Sequence, residues 1–284
     1  MSKARKKKTP ITVTAIDKHR TSDSGCTSSN PHTTRTLIRR FHVLLKKQRQ
    51  LQKNVSSACN ARELQDVERE IEEMGGLAAY QRMSSIGQGS DRGGGSEKVL
   101  IKWLVAMGSS KRDGKAKLSL LEVGALKPDN YVSCTSWIDT TPMDLRSRHP
   151  AIIEQDFLCM NENEHEDRWD IISLSLVINF VPEPKDRGRM LTFAHTFLRP
   201  SGLLFLALPL PCVENSRYLT FEHLQSLMTA IGFLEIEKKW RQGGKMGYWL
   251  YRKVQPDNSS SPHNFQKKSV CRQGKRNNFC ILLN

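Results

Sequence analysis

The stretch LSLLEVGALKPDN (Leu118–Asn130) decides how the second half of the chain reads. Its first six residues are apolar on both faces, and a run that short and that filled is what a buried parallel strand looks like. Similar runs recur at Val132–Ile138, Ile152–Ile153, Ile171–Val181 and Leu203–Leu208, each followed by polar or turn residues. Pro184–Leu198 lies between the last two and is long enough for a crossover helix, with Met190, Leu191, Ala194, Phe197 and Leu198 on its apolar side. A capped helix over Thr220–Ile231 follows, and then two strands, Phe233–Glu237 and Tyr248–Lys253. This order predicts an α/β fold, a doubly wound Rossmann-like sheet that ends in an antiparallel hairpin. No internal repeat is visible.

In such a sheet ligands bind at the carboxyl ends of the strands, near the point where strand order reverses. Three acids are read at successive run ends: Glu122 with Gly124 in LLEVGAL, Asp139 in WID, and Asp156 with Phe157 in EQDF. Gly124 would let the backbone approach a cofactor where a Cβ would collide. Asp139 would accept hydrogen bonds from a ribose diol, and Asp156 one from an adenine amino group, with Phe157 covering the ring. Ser175 would reach the polar end of the ligand. A dinucleotide site is disfavoured because the loop after the first strand, GALKPDN, lacks the second and third glycines of GxGxxG. An antiparallel C-terminal hairpin with acids of this kind is typical of class I S-adenosylmethionine methyltransferases. Asn179 and Phe180, in SLVINFVP, are then the candidates for holding a target base, by a hydrogen bond and by stacking.

Charge is distributed unevenly. Residues 1–53 hold 14 Lys and Arg against two acids, and residues 252–284 hold 7 against one, which leaves 23 against 26 between them. A near-neutral body with two basic tails predicts flexible arms for a polyanion, or a nuclear address. The expected organisation is a disordered basic tail (1–31), a helical N-terminal region (32–107), a Rossmann-like domain (108–253) and a basic C-terminal tail (254–284). Within the helical region, a basic amphipathic helix from Thr33 and a second helix capped at Asn60 are expected to pair as a hairpin. Tyr80, Gln81 and Arg82 precede the glycine-rich connection GQGSDRGGGS and are candidates for a lid. No secretory leader or membrane-spanning run is read, and seven scattered cysteines without a CxxC pair indicate neither a disulfide framework nor a zinc site. A monomer without metal is expected.

Five segments carry a resemblance that goes beyond cofactor strands: Gly75–Leu104, LLEVGAL (Leu120–Leu126), IEQDF (Ile153–Phe157), SLVINFVPEPKDRGRML (Ser175–Leu191) and RNNFCILL (Arg276–Leu283). The chain resembles the fungal large-subunit rRNA adenine-N1 methyltransferases. The resemblance implies S-adenosylmethionine as cofactor, large-subunit rRNA or a pre-ribosomal particle as partner, formation of 1-methyladenosine, and a nuclear, nucleolar location. It matches Gly124 and Asp139 to cofactor-binding positions, with Glu122, Asp156, Phe157 and Ser175 around them. The family as read here also includes animal S-adenosylmethionine sensors, so a non-catalytic sensor is the alternative; the basic tails and the Asn179–Phe180 pair favour the enzyme. Attack by an adenine ring nitrogen uses a lone pair already present, so no general base is required.

Overall fold

The computed structural model describes residues 37–52 in part, 58–76, 79, 95–111, 116–147, 149–255 and 262–284. Tyr80, Gln81, Arg82 and the tail over 1–31 lie outside the described residues. The strands are β1 (Leu118–Val123), β2 (Ile138–Asp144), β3 (Ile153–Glu154), β4 (Trp169–Ser175), β5 (Leu198–Pro209), β6 (Phe233–Lys239) and β7 (Met246–Lys253). They form one sheet in the order β3-β2-β1-β4-β5-β7-β6. The first five run parallel, while β7 lies antiparallel to both β5 and β6. This is the class I methyltransferase sheet. Strand order reverses between β1 and β4, so the switch point lies at the carboxyl ends of those two neighbours.

Helices cover both faces. On one, α3 (Pro184–Phe197) and α4 (Phe221–Ile231) bury Leu191, Ala194, Phe197, Leu227 and Met228 against Ile172, Leu204 and Trp249. Thr220 caps α4 by accepting from the His223 amide at 3.0 Å, and Gly232 ends it in a left-handed turn. On the other face α2 (Ser96–Ala106) buries Leu100 and Leu104 against Leu120, Phe205 and Leu250. Helix α2 therefore packs as part of the sheet's own body, which corrects its assignment to a separate N-terminal region. The preceding helix, α1 (Ala58–Glu73), begins two residues before Asn60, so Asn60 lies inside it and is no cap. Ion pairs Arg40–Glu70 and Lys47–Glu63, each at 2.6 Å, join α1 to the helical residues before it. The partner number falls as the other rises, which is the antiparallel hairpin read from the sequence.

Two further expectations are corrected. Val132–Ile138 is not a strand. Val132 is 65% exposed, Ser133, Thr135 and Ser136 are exposed too, and a 3-10 turn over Val132–Cys134 buries Tyr131 and Cys134, three residues apart. Strand β2 starts at Ile138 and carries Thr140, Thr141 and Pro142, a composition that does not advertise a strand. Pro142 is tolerated because β3 pairs with β2 only from Met143 onward. The second correction concerns the C-terminus. Residues 262–284 are no loose tail, since Phe265, Cys280, Ile281 and Leu283 are buried in the core. The Gly188 backbone lies so close to this segment that an added Cβ would stand 1.9 Å from the Leu282 carbonyl oxygen.

Candidate active site

The site is built around the end of β1. Gly124 follows the strand at φ +78°, a conformation that favours glycine, and its amide donates to the Met143 carbonyl at 2.8 Å, as the Ala125 amide does at 2.9 Å. The loop after β1 is thereby laced to the end of β2. An added Cβ would stand 2.7 Å from Cγ2 of Val177, in the loop after β4. Gly124 and Val177 thus bring the two loops of the switch point together, leaving bare backbone on the concave side.

Glu122 is 7% exposed. Its Oε1 accepts from the Asn130 side-chain amide at 2.7 Å, while Oε2 is buried with no partner among the described residues. Burial pushes the carboxyl up to about 7, Asn130 opposes this, and the charges of Glu97 and Asp129 reinforce it. Glu97 belongs to the first turn of α2, and that turn is held over the sheet edge because the Ser175 hydroxyl donates to Ser96 Oγ at 2.7 Å. A buried carboxylate with one unused oxygen, beside a second acid, fits a cationic ligand group.

The other predicted residues separate. Asp139 is exposed and stands second in β2, level with Ser119 at the start of β1. It lies at the amino edge of the sheet, about 16 Å of strand from the switch-point edge. The acid that ends β2 is Asp144, half-buried, whose Oδ1 accepts from the Arg146 amide at 2.9 Å. Asp139 is expected at that edge only when the strand is taken as Val132–Ile138, six residues ahead of β2. An available signal was the interval of about 20 residues between the first glycine and a ribose-binding acid in sheets of this kind, which Gly124 and Asp144 match. Asp156 does sit at the carboxyl edge, after β3, where Oδ1 accepts from the Leu158 amide at 2.9 Å and caps a short 3-10 turn. Phe157 points into the core, 5.6 Å from the Phe197 ring centroid and 3% exposed, so it cannot cover a ligand ring.

Beyond β4 the chain turns sharply. Leu176 has φ +59°, a left-handed conformation that is unfavourable for a branched side chain. The turn is held by the Leu176 amide donating to Ala207 at 2.9 Å. Asn179 and Phe180 follow in a 3-10 turn, and the Asn179 Oδ1 is buried without a described partner. Arg187, missed in the sequence, fixes this loop from behind. Its guanidinium donates to the carbonyls of Val181 (2.7 Å), Pro182 (3.2 Å) and Cys280 (2.7 Å) and lies 4.3 Å from the Phe279 ring centroid. Burial pulls its pKa below the ordinary arginine value. Among the described residues no group of three or more His, Cys, Asp or Glu could hold a metal, and no helix is long and apolar enough to cross a membrane.

The model of the family described as "25S rRNA (adenine(2142)-N(1))-methyltransferase, Bmt2" matches residues 65–281. A 25S rRNA adenine-N(1) methyltransferase of Schizosaccharomyces pombe is 37% identical over 257 residues, covering 87% of this chain and 91% of that protein. A 25S rRNA (adenine(2142)-N(1))-methyltransferase of Saccharomyces cerevisiae is 36% identical over 251 residues, 86% of this chain and 71% of that protein. Among solved structures, Burkholderia thailandensis 1,6-didemethyltoxoflavin-N1-methyltransferase is 15% identical over 56% of this chain and 76% of that one, with a TM-score of 0.43.

Proposed function

The chain belongs to the 25S rRNA adenine-N(1) methyltransferase family, and from that premise we propose which of its residues carry the reaction. The activity is S-adenosylmethionine-dependent methylation of adenine N1 in 25S rRNA, a step of ribosome biogenesis. The observation that carries the residue assignment is the pair of buried oxygens without a partner among the described residues, Glu122 Oε2 at the end of β1 and Asn179 Oδ1 in the loop after β4, on either side of the contact between Gly124 and Val177.

Bound S-adenosylmethionine supplies an electrophilic methyl carbon on a cationic sulfur. Glu122 takes its ammonium group, the Gly124 turn gives backbone clearance, and Asp144, in place of Asp139, accepts from the ribose hydroxyls. Asp156 keeps its assignment to the adenine amino group, through the oxygen not used in capping. Ser175 acts indirectly, by holding the first turn of α2 over the site.

On the acceptor side Asn179 Oδ1 accepts from the exocyclic amine next to N1, and Phe180 stacks on the target base. This fixes the lone pair of N1 towards the methyl carbon, and no proton has to leave before transfer. The residues therefore act by orientation and by excluding water. The run of Lys3, Arg5, Lys6, Lys7 and Lys8 fits a nuclear, nucleolar address, and a monomer acting on rRNA or a pre-ribosomal particle is the simplest state.

The test is to delete the gene, map 1-methyladenosine in 25S rRNA, and rescue with wild type, Asp144→Ala or Asp139→Ala. Wild type and Asp139→Ala are expected to restore the mark, and Asp144→Ala to fail at equal protein level. Rescue by Asp144→Ala but not by Asp139→Ala would overturn the assignment.

A further inference from the structure

The carboxyl edge of the sheet is divided by charge. Over β1, β2 and β3 it carries Glu122, Asp129, Asp144 and Asp156 against the exposed cations Lys127 and Arg146, with Glu97 held above them by the Ser96–Ser175 hydrogen bond. Over β5, β7 and β6 the balance reverses. The β6–β7 hairpin presents exposed Arg241 and Lys245 at this same edge, because Met246 pairs with Pro209 at the end of β5 and the Leu210 amide donates to the Lys245 carbonyl at 2.8 Å. The C-terminal segment adds exposed Lys267, Lys268 and Lys275. None of these five cations forms an ion pair with a described residue.

The two groups of cations belong to one surface. Trp240, 41% exposed, stacks on Phe221 with ring centroids 4.7 Å apart and planes at 25°. The Lys268 ammonium lies 5.8 Å from the ring centroid of Tyr218, three residues before Phe221. Acids in this region are Glu214, Glu222 and, on β6, Glu235 and Glu237; Lys238 pairs with Glu235 at 2.9 Å, and Lys239 follows them at the end of the strand. The surface abuts the loop after β4, since Arg187 ties the Val181 and Pro182 carbonyls to that of Cys280.

We infer that this basic half of the carboxyl edge, from the Trp240–Lys245 hairpin to Lys267, Lys268 and Lys275, is the docking surface for the phosphate backbone of the substrate RNA, with the outer face of Trp240 taking an unpaired base. It rests on the methyltransferase reading of the adjoining site. Residues 54–251 are slightly acidic in sum and repel RNA unless cations are gathered on one side, as Arg241 and Lys245 of that stretch are with Lys267, Lys268 and Lys275 of the segment that follows it. Here they are gathered beside the acceptor loop, and the acids beside the place for the cationic donor. An exposed indole next to lysines and an arginine is also the pairing that holds single-stranded bases, by stacking and charge.

The experiment uses the full chain, a 25S rRNA transcript in filter binding across a salt series, and calorimetric S-adenosylmethionine binding as a check that each variant folds. Arg241→Glu with Lys245→Glu, and separately Lys267→Glu with Lys268→Glu, are expected to weaken RNA binding tenfold or more and to lower the slope of log affinity against log salt by about one per lost phosphate contact. Trp240→Ala is expected to weaken binding severalfold at unchanged slope, and Trp240→Phe to recover part of it. S-adenosylmethionine affinity stays within about twofold of wild type in all of them. Should a charge-reversed pair disturb the fold, Gln replacements at the same positions are expected to give a smaller loss in the same direction. RNA affinity and salt slope at wild-type values in all charge variants overturn the docking surface alone. A wild-type protein that binds S-adenosylmethionine and the transcript but transfers no methyl group overturns the methyltransferase reading instead.

Discussion

Asn130 donates its side-chain amide to one carboxylate oxygen of Glu122 at 2.7 Å, and the other oxygen of the same carboxylate is buried with no partner among the described residues. The residue that most needs a counter-charge therefore stands at the switch point of the sheet. The protein without ligand carries an unmet electrostatic cost there, and a cation with hydrogens to donate relieves it.

The first prediction concerns stability against pH. The folded carboxyl titrates near 7 and the ordinary value is 4.5. Between those values the folded protein holds a proton that the unfolded chain has released, so stability falls as pH rises through this window, by about 3 kcal/mol in total. The cofactor-free protein is expected to melt higher at about pH 5 than at about pH 8, and Glu122→Gln to flatten the difference. An equally steep pH dependence of Tm in Glu122→Gln would sink this account.

Cofactor binding is coupled to the same proton. A cation beside Glu122 lowers its carboxyl pKa, so binding at about pH 6 releases a proton, and affinity rises with pH until the free carboxyl is fully ionised, roughly a unit or more above its own value of about 7. Calorimetry in buffers of different ionisation enthalpy measures the released proton directly. No buffer dependence at about pH 6 refutes the coupling.

Gly124 combines φ +78° with a Cβ position 2.7 Å from Val177 Cγ2. Gly124→Ala is expected to cost about 1–3 kcal/mol of stability and at least tenfold in cofactor affinity. Val177→Ala in the same chain removes the clash but not the backbone strain, so it restores only part of the stability. Full recovery would show that the conformation itself carries no cost.

Asp144 and Asp139 give opposite outcomes. Asp144→Asn removes the charge from an acid at the binding edge and is expected to weaken cofactor binding about tenfold to a hundredfold. Asp139→Asn, exposed at the far edge, is expected to leave binding within error. Titration calorimetry on the two variants decides, and equal losses would contradict the register of β2.

Arg187→Ala strips the donors from three carbonyls and the cation from the Phe279 face, and is expected to destabilise the protein by about 3 kcal/mol or more. Removal of residues 277–284 breaks the same connection from its other side. The two changes together are expected to cost clearly less than the sum of their separate effects, because they share one network. Additive losses in denaturant unfolding would mean that Arg187 and the C-terminal segment act independently.

Hydropathy by itself determined that the second half of the chain is a doubly wound sheet, with β1, α3, β5, α4 and the closing hairpin each in place. Buried parallel strands must be apolar on both faces, and the runs that carry this pattern most fully coincide with β1, β4 and β5, whereas Val132–Ile138, interrupted by serines and a threonine, is a turn. It also puts Glu122 and Gly124 at the carboxyl edge of the sheet, because the first run coincides with β1. Tertiary structure alone decided the rest. Strand β2 sits between a neighbour that covers it fully and one that pairs with only its last two residues, so it tolerates threonines and a proline that hide it from hydropathy; hence Asp144 stands where Asp139 was expected. The apolar residues of RNNFCILL are in plain view, yet only the buried guanidinium of Arg187 and the close approach of Gly188 explain why the last residues fold back behind the loop after β4. Local pattern reports which side chains seek burial, and the partner that buries them lies some ninety residues away along the chain.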